Sequence, residues 1–305
     1  MAENNVAEND LLVLANKDLC VAVSPAAGAS VAYFKKLGDE EIDIMRPASE
    51  KALSESDASG FSMYPMVPYI GAIHGGSFIY YGIKRSVPAN VSGKKEPFDG
   101  DGWRFAWNVK EFDGKKAVLS CIGDPKKGFP FSYESDVTYT LDGNKLSVFI
   151  RVKNLGILPM PCALGVHPFF PKTKDVTAKF FAKNVWEHNE TPLRDKPYAV
   201  TDDWSFKEEK KVYGTGFNTC FGGFDGEAEI TWPSKNIKLN ITSREEFNHI
   251  ILYVPNNKSF FCLEPVTSAI DVFNLASRGI MGAGMKSIGP SEEMTATIDF
   301  VVSNI

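Results

Sequence analysis

Two short stretches of the sequence put a proton-transfer group beside residues that restrict its motion. Leu164-Gly165-Val166-His167-Pro168-Phe169-Phe170 sets an imidazole between a small apolar approach and a proline–aromatic wall. Proline restrains its own backbone and that of the residue before it, and imidazole is the side chain whose ordinary pKa suits acid–base work near neutrality. A core histidine bonded to a backbone carbonyl is the other use of such a residue, and this heptapeptide alone leaves both open. Phe260-Phe261-Cys262-Leu263-Glu264-Pro265-Val266-Thr267 places a carboxylate at the end of a strongly apolar run, where the proline is expected to stop the ladder. Partial burial raises a carboxylate pKa toward the range useful for a base, while a structural salt bridge is the competing explanation.

Other polar residues could serve such a pair. His74 in His74-Gly75-Gly76 is either a hydrogen-bonding group for a ligand or a loop histidine of no special role. Asp99 stands in Asp99-Gly100-Asp101-Gly102, which is equally an ordinary turn sequence. Trp103 and Trp107 have an even spacing, which on one strand face would offer an aromatic platform, with core packing the alternative. Lys94-Lys95, Lys126-Lys127 and the run from Lys207 to Lys211 are mixed with acids or turn residues and read as solvated faces rather than a phosphate cradle. Cys20, Cys121, Cys162, Cys220 and Cys262 are scattered singly, with no C-x-x-C and no spacing that would seat zinc. They read as reduced, semi-buried small apolar residues.

The elements that must hold these groups are strands. Val21-Ala22-Val23, Ala117 to Ser120, Ser132 to Leu141 and Lys145 to Val152 are β-prone runs separated by turn residues. Asp142-Gly143 between two of them predicts a tight hairpin, because glycine and aspartate accept positive backbone angles. Ala228 to Trp232, Ile237 to Thr242, His249 to Val254 and Phe260 to Glu264 repeat the style. Helical periodicity is scarce: Met45 to Ala58 has room for a turn or two, and Val266 to Ala276 for a short helix or loop. Short strands without strand–helix alternation predict an all-β fold, a large antiparallel β-sandwich, with 22 phenylalanines to fill its core. No internal repeat or linker divides the chain, so residues 11–305 are expected to form one domain behind a disordered tail at residues 1–10.

Composition narrows the partners. The chain of 305 residues carries a formal net charge of −5, which offers no positive field to nucleic acid or anionic membrane surfaces. The amino terminus lacks the basic and then apolar pattern of a signal peptide, and no run approaches the length of a membrane span, so a cytoplasmic location is expected.

The two chemical motifs together resemble the aldose 1-epimerases, or mutarotases, whose pattern has a Gly-x-His-Pro-aromatic-Phe strand and a later Glu-Pro-x-Thr strand. Further matches are Phe61 to Tyr69, Gly76 to Gly82, Gly100 to Trp107 and Pro290-Ser291-Glu292, so the resemblance spans nearly all of residues 11–303. It implies a β-supersandwich and an isomerase in which Glu264 takes the anomeric hydroxyl proton while His167 protonates the ring oxygen of a monosaccharide or reducing-end saccharide. It implies no metal and no cofactor. The substrate shell departs from the family: Ile70-Gly71-Ala72-Ile73 follows Pro68-Tyr69 where an Asn-Arg is usual, Asp99 stands where a histidine is common, and Asn218 is nearest to a sugar-binding aspartate. Asp99, His74, Asn218 and Trp103 are therefore the candidate substrate contacts. A carbohydrate-binding protein without turnover and a hexose-phosphate epimerase remain as alternatives; oligomeric state is not legible.

Overall fold

The computed structural model describes residues 11–186, 196–244 and 246–305, so the expected tail at residues 1–10 lies outside them. The architecture is almost entirely β, as the strand and turn pattern predicts, and its two large sheets are of different character.

The nine-stranded sheet runs in the order Lys210–Lys211, Thr177–Phe180, Glu227–Trp232, Ile237–Ser243, Glu293–Ser303, Lys145–Asn154, Tyr133–Asp142, Lys116–Gly123, Asn108–Phe112. Its long strands alternate buried and partly exposed residues almost without exception, as a sheet with one wet face must. The hairpin joining Tyr133–Asp142 to Lys145–Asn154 forms in register, with Asp142 opposite Lys145. Its turn residues are Gly143 and Asn144, one position later than Asp142-Gly143, and Gly143 alone takes the positive φ, 55°. Asn144 instead donates its amide to Val302 O at 2.8 Å, which ties the turn to the neighbouring strand.

The twelve-stranded sheet has Met63–Met66, Gly165–Pro168, Phe260–Val266, His249–Tyr253 and Asn218–Gly222 as adjacent central strands. These strands are buried on both faces: every residue of Met63–Met66 and all but the first of Phe260–Val266 are buried. The proline of Glu264-Pro265 does not end its strand. Pro265 withholds one donor, yet the ladder continues to Val266, which pairs with both Gly165 and His249.

One continuous apolar core runs between the two sheets. Two of its buried polar tips bond across the gap: Tyr139 OH donates to Ala29 O at 2.7 Å, and Trp232 Nε1 donates to Pro171 O at 2.9 Å. Helix is confined to short pieces, chiefly Glu50–Glu55, inside the first window the sequence left for it, and Val272–Ser277, which runs one residue past the second. Ser49 caps the first by accepting from Ala52 N. Among the described residues no helix is long and apolar enough to cross a membrane, and all five cysteines are free.

Candidate active site

The register of the twelve-stranded sheet brings the two proton-transfer candidates together. Gly165 lies opposite Val266, so two residues further along His167 lies opposite Glu264, and paired residues share a face of the sheet. His167 Nε2 is 3.5 Å from Glu264 Oε1, with side-chain exposures of 14% and 5%, so the pair is closed off except on the imidazole side. The imidazole sits in an aromatic corner. Tyr64, its partner on the next strand, stacks at 4.8 Å between ring centroids and Phe169 at 4.5 Å, and these two rings lie 6.1 Å from each other.

Asp99 completes the centre. Its Oδ2 accepts from Tyr64 OH at 2.8 Å, its Oδ1 accepts from Gly71 N at 2.9 Å, and its own N–H donates to Gly71 O at 3.0 Å. The residue sits at φ 59°, a conformation that aspartate tolerates better than most side chains. Behind it Gly100, at φ 74°, presses against the chain: an added Cβ would lie 1.9 Å from Val67 O. Asp101 is buried and accepts from Phe129 N and from Tyr133 OH, which pins the segment to the nine-stranded sheet.

These contacts overturn the reading of Trp103 and Trp107 as one strand face. Trp103 lies in the 3₁₀ turn Gly102–Arg104, and Trp107 just precedes the strand Asn108–Phe112. Where Gly100 and Gly102 pack directly on Val67, pairing stops at a single bridge from Val67 to Gly100. Each indole instead donates to its own loop, Trp103 Nε1 to Gly100 O at 3.1 Å and Trp107 Nε1 to Gly102 O at 2.8 Å. Trp103 is nearly buried and stacks on Tyr64 at 5.4 Å, so it backs the ring that backs His167. Beside this wall a cavity of about 540 Å³ is lined by Tyr64, Asp99, Trp103, Asn90, Lys94 and Arg104, among others.

Electrostatics in the centre follow from burial. Burial pushes Glu264 well above the ordinary carboxylate range, and the Asp99 charge adds to the shift. Burial lowers the His167 pKa; Asp99 opposes this and Arg46 reinforces it. Both shifts favour the uncharged forms, so Glu264 and His167 hold one exchangeable proton between them, which an opposite-charge arrangement would hold equally. Such a pair can take a proton from one oxygen of a ligand and give one to another without changing its own proton count.

A family model described as aldose 1-epimerase matches residues 10–297. The chain belongs to that family. It is similar to the uncharacterised protein YphB of Escherichia coli K12, 22% identical over 300 residues, covering 96% of this chain and 98% of the relative. Among solved structures it is similar to a putative aldose 1-epimerase from Escherichia coli K12, with TM-score 0.86 at 21% identity and coverage of 97% and 99%. A GalM/aldose epimerase homologue from C. elegans has TM-score 0.81 at 18% identity, covering 97% of this chain and 99% of that one. At these identities the structural likeness shows the galactose mutarotase-like β-sandwich.

Within this epimerase fold the remaining candidates fall in different places. Asn218 opens the strand Asn218–Gly222 opposite Tyr253, and the register puts it on the same face as Glu264. His74 faces its own cluster: Nδ1 lies 3.2 Å from Glu96, and its backbone N–H donates to Asp271 Oδ1 at 3.1 Å. Asp271, pushed up to about 6 by burial, also accepts from Asn274 and so ties the His74 turn to the helix Val272–Ser277. These contacts give His74 a structural task. Ala72, in the segment where the sequence departs from the expected Asn-Arg, is buried and bridges to Phe98.

Sequence reasoning missed three residues at the centre. Arg46 lies over Phe169 at 4.2 Å and Phe260 at 4.8 Å, donates to Phe61 O, and leaves Nε buried without a partner. Tyr64 lies opposite His167 on the strand Met63–Met66, and Cys262 lies two residues from Glu264 on its own strand. For Cys262 the signal was present, since residues two apart on a strand share a face. For Tyr64 it lay in the Phe61 to Tyr69 match; nothing local marks Arg46, 121 positions before His167.

Proposed function

We propose that this epimerase-family protein interconverts the anomers of a free aldose or of the reducing end of a short saccharide. The observation that carries the reading is the buried Glu264 carboxylate 3.5 Å from His167 Nε2, held on adjacent strands behind Tyr64 and Asp99, which line a cavity. In one direction Glu264 takes the proton of the anomeric hydroxyl as His167 gives one to the ring oxygen, and the bond between the anomeric carbon and that oxygen breaks. The aldehyde then turns its other face, and the two groups exchange roles as the ring closes. Asp99 and Asn218 are the proposed hydroxyl contacts, with Trp103 acting through Tyr64. The whole cycle runs on these side chains, in one domain of residues 11–305, and the site fits a cytoplasmic sugar rather than a nucleic acid or a membrane.

The test is anomer interconversion followed by polarimetry or by NMR exchange on a small panel of sugars, including one hexose phosphate. Turnover abolished by changing Glu264 or His167 supports the reading; unchanged turnover in both variants overturns it. Glucose and galactose should be poorer substrates than is usual in the family. The missing arginine removes a charge-assisted contact of about 1.5–3 kcal/mol. Binding of sugars without any turnover is the outcome that favours a carbohydrate-binding protein. The feature behind that second reading is Glu264 itself, which burial drives toward the protonated form that cannot act as a base.

A further inference from the structure

The acid–base centre contains a third group with no part in moving protons to a sugar. Cys262 lies two residues before Glu264 on the strand Phe260–Val266, so its thiol emerges on the same face, and His167 enters from the strand alongside. His167, Cys262 and Glu264 each present one ligand atom, and the three atoms all lie within 4.8 Å of one another.

We propose that this centre is also a zinc site, with His167 Nε2, Cys262 Sγ and a Glu264 oxygen as three protein ligands, and that Zn²⁺ occupying it competes with substrate. Zinc bonds of about 2.0–2.3 Å in a tetrahedron set ligand atoms roughly 3.3–3.8 Å apart. The nitrogen and carboxylate oxygen already stand at 3.5 Å. The thiol therefore closes by on the order of 1 Å, a movement a cysteine side chain makes by rotating about one bond. A nitrogen, sulfur and oxygen set selects zinc over magnesium or calcium, which prefer all-oxygen cages. The imidazole, 14% exposed, is the member of the three that reaches solvent, so the fourth position opens on its side, where water or a sugar hydroxyl completes the tetrahedron.

The consequence is inhibition. A metal on His167 Nε2 and Glu264 occupies the same lone pairs that shuttle the proton, so bound zinc and turnover exclude each other. This part rests on the proposed epimerase function; occupancy of the site does not. Binding displaces the thiol proton together with the proton that Glu264 and His167 share, and leaves the sulfur as a metal thiolate.

Cobalt(II) reports the site directly, through the near-ultraviolet charge-transfer band of a cobalt–thiolate bond and the strong visible bands of four-coordinate cobalt. Titrating the intact chain should give both bands, saturating at one equivalent, and zinc should bleach them. Cys262→Ser and Cys262→Ala should each abolish the charge-transfer band and weaken zinc binding about tenfold or more, as measured against a chromogenic chelator. In both variants the sugar turnover that remains, measured against each variant's own metal-free rate, should be insensitive to zinc. Absence of the bands in the intact chain, or a charge-transfer band that survives in both variants, overturns the site. Bands that behave as expected in a protein that turns over no sugar would sustain the site while the epimerase reading fails.

Discussion

The two large sheets use the same chemical group in opposite ways. On the wet face of the nine-stranded sheet, Arg151 donates to Glu134 at 2.7 Å, to Glu293 at 3.2 Å and to Asp136, while Lys110 reaches Asp136 at 2.7 Å. The Arg151 hydrogen bond holds Glu134 below the ordinary carboxylate range. Burial pushes Asp136 upward, but its bonds to Lys110 and Arg151 outweigh that and leave it lowered. On the twelve-stranded sheet Glu264 is buried beside a histidine, and among the described residues no lysine or arginine forms an ion pair with it. Solvated charge in a network is settled and unreactive. A carboxylate held away from water with only a histidine beside it is costly to the fold and available for chemistry.

Breaking the pair gives the largest effect. Glu264→Gln and His167→Asn should each lower anomer interconversion by about 100-fold or more, the scale for losing a positioned acid or base, while Glu134→Gln leaves it unchanged. Polarimetric rates on the three variants check this.

Stability should move in opposite directions on the two sheets. A carboxylate whose pKa is raised on folding gives stability that is present below its unfolded pKa and lost as pH rises through the folded one. Glu264→Gln removes that loss, so its melting temperature should exceed that of the unmodified chain at pH 8 and approach it at pH 4. Glu134 is lowered on folding, so it stabilises above its unfolded pKa and ceases to do so as pH falls through the folded value. Glu134→Gln should therefore melt lower at pH 8, by no more than about 1 kcal/mol of stability for a partly exposed pair, with the difference vanishing in acid. Thermal melts at both pH values test the contrast.

Asp99 sharpens the comparison within the site. Its charge raises both Glu264 and His167, so Asp99→Asn should shift both limbs of the pH–rate profile of kcat/KM toward lower pH. A change in KM with an unmoved profile would confine Asp99 to substrate contact. The smallest effect is expected from Arg151→Met, which loosens the outer network by roughly 1 kcal/mol or less and leaves the profile where it was.

The contrast between the sheets also explains what was legible in sequence. Alternation along Tyr133–Asp142 and Lys145–Asn154 declares a half-wet sheet and its hairpin at once. The central strands of the other sheet are buried on both faces and lack alternation, so they show neither register nor face, and only the chemical motifs marked His167 and Glu264. The fold class, both helical windows and the epimerase family were within reach. The turn that displaces Trp103 was not, because its cause is a close approach of Gly100 to Val67, 33 positions earlier in the chain. Arg46 and Tyr64 join the site through the same kind of long-range contact.

That close approach has an evolutionary consequence. Added side-chain carbons would stand 1.9 Å from Val67 O at Gly100, 2.3 Å from Val67 Cγ2 at Gly102, and 2.2 Å from Trp103 O at Gly28. The wall carrying Asp99 is thus locked from both sides and can hardly drift one residue at a time. The opposite rim of the cavity, around Glu55–Ser59 and Ser92–Lys94, is formed by mostly exposed residues with few such constraints. Substitutions that change what the cavity admits are accommodated along that rim, while the wall tolerates few.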